Sequence, residues 1–208
     1  MINILTLSSL ALAVLHMAVV PAYAHGYVAY PPSRQARCRN DRVPGCGSVQ
    51  WEPQSVEGLH GSFKCNGDGA RFPELNDDDL WENHFYSVPI GIDSLDFTWV
   101  ITASHRTTTF EYFTLTEDNA LLALFNYHNS SVPHTLEHVV PLHRLTGRQM
   151  ILARWNIGDT PNSFYSCVDL RIESDDFNMA VEGAAAKQDP VMQHPIGITL
   201  VVHGFAGQ

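Results

Sequence analysis

The sequence has 208 residues, with 22 acidic against 12 basic side chains, a formal net charge of −10 and no cluster of Lys and Arg. That balance argues against nucleic acid and anionic lipid as partners. The length suits one domain with a sizeable core and is short for two.

From Ile2 to Ala24 the chain is apolar, carries no charged side chain and ends in Pro21-Ala22-Tyr23-Ala24, a small-x-small pattern that signal peptidase accepts. This predicts a secretory signal over residues 1–24, although the usual Lys or Arg ahead of the apolar run is missing. A membrane anchor would need about 20 apolar residues, and His16, Pro21 and the Ala-Tyr-Ala site fit removal better. Taking the first 24 of 208 residues away leaves 184, all without another segment apolar enough to span a membrane. A secreted, extracellular protein is the expectation.

Four cysteines follow, Cys38, Cys46, Cys65 and Cys167. An even count in an exported chain points to two disulfides, for which three pairings exist. Cys38 with Cys46 would close a short loop holding Pro44 and Gly45, leaving Cys65 to Cys167. A zinc site is disfavoured because no Cys-x-x-Cys pair occurs. Between Gly26 and Trp81 the sequence is rich in Gly, Pro, Arg, Asn and Asp with little periodicity, which predicts a long loop region with short helices. Loops of that length in a compact domain are usually functional or disordered, and the cysteines argue for order.

From about Leu95 to Ile172, short runs of β-branched and aromatic residues alternate with turn formers, predicting an all-β sandwich. Phe97, Trp99, Ile101 and Ala103 alternate with Thr98, Val100 and Thr102 just before His105, the pattern of a strand with one apolar face. Thr107 to Leu115, Met150 to Trp155 and Phe164 to Ile172 read as further strands. Residues 173–208 turn acidic and alanine-rich before an apolar run from Ile196 to Val202, and both an added strand and a loose extension remain open there.

With 11 histidines in the chain, a single His is weak evidence for metal. His25 is distinguished because it would become the first residue after cleavage. Its free amine and its ring could then chelate one ion, and one further imidazole would complete three nitrogens in a planar arrangement suited to copper.

His25-Gly26-Tyr27-Val28 with Pro31, Ser33 and Arg34 begins a series of blocks. It continues through Cys46-Gly47-Ser48-Val49-Gln50-Trp51-Glu52-Pro53-Gln54-Ser55-Val56-Glu57-Gly58, then Trp99 to His105, then Trp155 to Thr160 and Asn162-Ser163-Phe164-Tyr165. Together, in this order, they resemble the bacterial-type lytic polysaccharide monooxygenases, auxiliary-activity family 10, over residues 25–172. The resemblance implies an immunoglobulin- or fibronectin-like β-sandwich with a loop and short-helix insertion near the N-terminus. It also implies one copper ion per chain, held by His25 and His105.

The same resemblance gives Ala103 and Phe164 the two axial faces of the metal. Glu57 becomes the nearby carboxylate that handles protons and bound oxygen species. Trp51 becomes the aromatic platform for a sugar ring, with Glu52, Thr102, Asp159 and Asn162 as polar contacts on the same face. Taken singly, each has a plainer reading: His105 as a strand-end histidine, Phe164 as core, Glu57 as an exposed loop acid and Trp51 as buried.

The implied partners are an insoluble polysaccharide, an external reductant, and oxygen or hydrogen peroxide, acting on a monomer. Trp51 and the Gln54 to Gly58 block resemble chitin-active members more than cellulose-active ones, and oxidation at C1 follows from the same likeness. Two other readings compete. A non-catalytic chitin-binding protein or adhesin would use the same face, but keeping both His25 and His105 tells against it. A copper carrier would favour methionine-rich sites, whereas Met150, Met179 and Met192 are scattered.

Overall fold

A computed structural model of the chain describes residues 24–142 and 145–173. The expected signal peptide, apart from Ala24, and the extension beyond Glu173 lie outside the described residues. Nine strands are found there: β1 (His25–Tyr30), β2 (Glu57–Leu59), β3 (Tyr86–Val88), β4 (Ser94–Ala103), β5 (Arg106–Thr114), β6 (Ala120–Ser131), β7 (Thr135–Pro141), β8 (Gly147–Ile157) and β9 (Asn162–Ile172). Two short helices, α1 (Arg34–Asn40) and α2 (Asp78–Trp81), fall between β1 and β3. Among the described residues no helix is long and apolar enough to cross a membrane.

The strands form a three-stranded sheet ordered β1-β4-β7 and a larger sheet ordered β2-β9-β8-β5-β6, with β3 pairing parallel to β9. This is the expected sandwich. Alternation puts Phe97, Trp99 and Ile101 of β4 inside. They meet Phe110 and Tyr112 of β5, Ala153 and Trp155 of β8, and Val168 of β9 in one core between the sheets.

Strands β8 and β9 are buried on both faces, so the alternation expected of a half-exposed strand is lost there. Their outer face is covered by the segment leading from β1 to β3. Cys38, Val49, Val56, Phe72, Leu75 and Trp81 pack against Leu152, Tyr165 and Cys167 in a second core. Disulfides Cys38–Cys46 and Cys65–Cys167 tie this cover to itself and to β9. Arg34 joins them, donating through Nε and Nη2 to both carboxylate oxygens of buried Asp169 at 2.7 and 2.9 Å. The paired, hydrogen-bonded geometry is what lets two charges sit inside.

The sequence-based expectation differs in the segment from Gly26 to Trp81, which holds β1 and the short strand β2. The region from Gly26 is expected to be loop, yet it starts as strand β1, antiparallel to β4. Its apolar signal is short, since of the alternating positions Gly26, Val28 and Tyr30 only Val28 carries a fully buried aliphatic side chain. Its pairing is set by β4 rather than by its own propensity. Gly26 is required by contact: a Cβ there would lie 2.9 Å from the Ile101 side chain and 3.0 Å from the Trp155 ring.

Candidate metal centre and carbohydrate face

Four pieces of chain meet at one end of the sandwich. At the start of β1, His25 pairs with Ala103, and the register slips between His25 and Gly26. An irregularity of this kind re-aims a strand-end side chain. Thr102 donates from Oγ1 to the His25 carbonyl at 3.3 Å, fixing that end.

The two-residue link from β4 to β5 carries His105. Ser104 holds the link, donating from Oγ to the Val132 carbonyl at 2.9 Å. Next to it, the Gly158 amide donates to the Arg106 carbonyl at 2.7 Å, which seats the β8–β9 turn against the histidine. Asp159 then places Oδ1 2.6 Å from His105 Nδ1. A carboxylate accepts, so Nδ1 carries the proton and Nε2 is the ring nitrogen suited to a metal.

Strand β2 brings Glu57 opposite Phe164 of β9. Asn162 Nδ2 donates to Glu57 Oε1 at 2.7 Å, so the carboxylate is oriented rather than free to swing. Gly58, just after it, has Gly67 O only 2.1 Å from where a Cβ would stand, which leaves room for no side chain. Phe164 is fully buried, its ring 6.1 Å from that of His25 and 5.3 Å from that of Trp155.

The structure therefore links His25, Thr102, Ala103, Phe164, Glu57 and Asn162 through direct contacts, and joins Asp159 to His105, two residues beyond Ala103. Trp51 and Glu52 are joined to this group through the turn Pro53–Ser55 that leads to Glu57. Trp51 is 71% exposed, whereas Trp81, Trp99 and Trp155 are fully buried. Glu52 pairs with Arg71.

Among the described residues, no three His, Cys, Asp or Glu side chains converge on a common point. The imidazoles of His25 and His105 would be two side-chain donors at this end, and a third nitrogen would have to come from the main chain. A chain cut ahead of His25 would supply one, and such a donor set would fit copper.

These features are matched elsewhere. The family model described as "Lytic polysaccharide mono-oxygenase, cellulose-degrading" covers residues 25–170. The chain belongs to this family. It is an enzyme of the lytic polysaccharide monooxygenase type, in a copper-dependent family whose members bind chitin or related polysaccharides.

A lytic chitin monooxygenase of Streptomyces ambofaciens is 40% identical over 151 residues, covering 73% of this chain and 83% of that protein. A GlcNAc-binding protein A of Shewanella oneidensis is 34% identical over 74% of this chain, but the match spans only 36% of that longer protein. The neutron crystallographic structure of a Jonesia denitrificans lytic polysaccharide monooxygenase superposes with a TM-score of 0.65 at 37% identity, covering 72% of this chain and all of that one.

Sequence reasoning overlooks a network beside the site. His60 Nδ1 lies 2.7 Å from Ser163 Oγ and its Nε2 lies 3.1 Å from the Thr160 carbonyl. Ser163 Oγ also meets Asn156 Oδ1, and Asn156 Nδ2 donates to Thr109 Oγ1 at 2.8 Å. This stitches the residue after β2 to the turn that holds Asp159. Only the β8–β9 register, which sets Asn156 opposite Ser163, could have exposed it.

Proposed function

We propose that the mature chain, cut after Ala24, is a secreted, monomeric, copper-dependent monooxygenase that cleaves chitin by oxidation at C1. The observation that carries this reading is the meeting of His25 with the end of β4, two residues before a His105 whose Nδ1 is held by Asp159. His25 would contribute its amine and ring, and His105 its Nε2. When bound, copper would supply a centre that takes one electron from an external reductant and activates oxygen or hydrogen peroxide, the chemistry needed to remove hydrogen from a glycosidic carbon.

The protein's part is to position and exclude. Asp159 fixes the His105 tautomer. Phe164, beside the His25 ring, and the Ala103 methyl, paired with His25, would line the site, one side apolar and the other narrow. Glu57, oriented by Asn162, would accept or deliver a proton at its carboxylate.

The exposed Trp51 ring would carry a pyranose on its face. Glu52, Thr102, Asp159 and Asn162 would meet hydroxyl and acetamide groups, each while also serving an internal contact. The name of the Streptomyces relative supports chitin, and the family's description keeps cellulose as the second candidate.

The test is product analysis. Mature protein starting at His25, loaded with copper and given ascorbate and oxygen or peroxide, should release soluble oligosaccharides ending in aldonic acids from β-chitin and few from cellulose. A form with one extra residue ahead of His25 should bind copper far more weakly, because the chelating amine becomes an amide. Equal copper affinity in the two forms would remove the proposed ligand set.

A further inference from the structure

Next to Trp51 lies a surface hollow of about 320 Å³ lined by Arg39, Arg42, Gln50 and Trp51. We infer that this hollow is a subsite for a sugar unit bearing a carboxylate, and that its natural occupant is the oxidised end of a chain already cleaved. The inference rests on the proposed oxidation at C1. The lactone formed there takes up water and opens to an aldonic acid, so each cut leaves a terminal carboxylate.

Two guanidinium groups beside an exposed indole are unusual in a chain of net charge −10, and the two carboxylates nearest them in sequence, Asp41 and Glu52, are already paired. Asp41, in the same disulfide-closed loop, pairs with Arg37 at 3.2 Å. Glu52, adjoining Trp51, pairs with Arg71. Among the described residues, neither Arg39 nor Arg42 has an ion pair or side-chain hydrogen bond.

Both residues are exposed, and both sit between Cys38 and Cys46, whose bridge holds the loop. Arg42 takes the left-handed backbone conformation, φ 50°, directly after α1 ends. The bridge therefore presents two uncommitted cations from a stiffened turn. The negative surface elsewhere matters little to them, since charges beyond about 8 Å are screened at physiological salt. A planar guanidinium donates two parallel hydrogen bonds to a carboxylate, and the indole face beside it suits the C–H face of the attached ring. A neutral glycan would use Trp51 and leave the two arginines idle.

Binding can be tested without turnover, using copper-free mature protein and a short chitin oligosaccharide in two chemically prepared forms. One ends in an aldonic acid and the other in the neutral alditol. Trp51 is the one exposed indole among the described residues, so its N–H resonance in proton–nitrogen correlation spectra reports occupancy.

The aldonate should bind roughly tenfold tighter than the alditol at low salt, the gap closing by about 0.5 M salt. Arg39→Gln with Arg42→Gln should abolish that gap while alditol binding persists, and Lys64→Gln, at an exposed cation after β2 that does not line the hollow, should retain it. Equal affinity for the two forms in the parent, or a gap that survives the double substitution, would overturn the subsite. An oligogalacturonate that binds more tightly than the aldonate would overturn the chain-end assignment. Because the aldonate is supplied ready-made, these outcomes are independent of whether chitin is oxidised, which the product analysis decides separately.

Discussion

Asp159 offers the sharpest test of how the protein tunes its proposed metal ligand. Its Oδ1 accepts from His105 Nδ1 at 2.6 Å, and Asp159→Ala would remove that acceptor while leaving both proposed ligands in place. Without the carboxylate the ring can rotate, or put its proton on Nε2, the nitrogen the metal needs. A hydrogen bond to a charged group contributes about 1.5–3 kcal/mol, and loss of such an outer partner commonly weakens metal binding about ten- to a hundredfold.

The Asp159 side chain is 41% exposed against 9% for His105, so water can partly replace it. The expected loss is therefore near the lower end, about tenfold, or about 1.4 kcal/mol. Asp159→Asn keeps an acceptor oxygen but not the charge and should lose less. Calorimetric titration of copper into mature parent and variants measures this, with thermal unfolding of the metal-free proteins as a control for the fold. If Asp159→Ala bound copper as tightly as the parent, the carboxylate would have no part in setting the tautomer. The assignment of Nε2 as the metal-facing nitrogen of His105 would then lose its basis.

Three further outcomes follow from the geometry. Glu57→Gln should keep copper and chitin binding yet lower oxidised product by roughly a hundredfold, whereas Trp51→Ala should weaken chitin retention roughly tenfold with copper affinity unchanged. Calorimetry, chitin pull-down and product counting separate them, and matching phenotypes would refute the division of roles. Replacing both Cys65 and Cys167 by Ala should cost about 2 kcal/mol more in denaturant unfolding than replacing both Cys38 and Cys46. The bridged residues are 102 apart in one case and 8 in the other, so equal costs would contradict the chain-entropy argument. His138 is buried against Phe110 and Phe125, with Tyr112 and Tyr127 hydroxyls at its two ring nitrogens. Burial pushes its pKa down to about 4. The folded form thus resists protonation that the unfolded chain accepts near 6.5. Stability from this group is complete above that pH and lost as pH falls toward 4. Between pH 7 and 5 the loss is about 2 kcal/mol, and His138→Gln should remove that slope from a pH series of unfolding curves. An unchanged slope would exclude His138 as its source.

Much of the site can be read from the sequence because it sits in contiguous blocks. His25 stands out through its place after a cleavage pattern, and β4 announces itself by alternation up to Ala103. Other features depend on pairing that no local pattern encodes. Strand β1 reads as loop because one glycine and one tyrosine interrupt its apolar face, and β4 alone gives it register.

Double burial of β8 and β9 hides their period, since the covering segment makes both faces apolar. Asp159 reads as a sugar contact, and the structure adds a bond to His105, next to the Gly158–Arg106 hydrogen bond that joins the β8–β9 turn to β5. His60, Ser163 and Asn156 meet across separations of 103 and 7 residues, so no spacing rule could assemble them.

The contacts also divide the face into two parts held by different means. The histidine end is fixed by backbone pairing: β1 on β4, β2 on β9, and the β8–β9 turn on Arg106. Side-chain substitution leaves that framework largely intact, except at glycines such as Gly26, where a methyl would strike Ile101 and Trp155. The Trp51 platform and its two arginines ride instead on a turn and a disulfide-closed loop outside both sheets. If the proposed face binds the substrate, changes in that loop would alter which polymer or chain end is held without substituting either histidine. On the proposed function, a fold arranged this way would let substrate preference vary while the two histidines keep their places, because the loop reaches the sheets through α1, whose Arg34 pairs with Asp169 of β9, and through the segment from Pro53 to Glu57 rather than through either histidine.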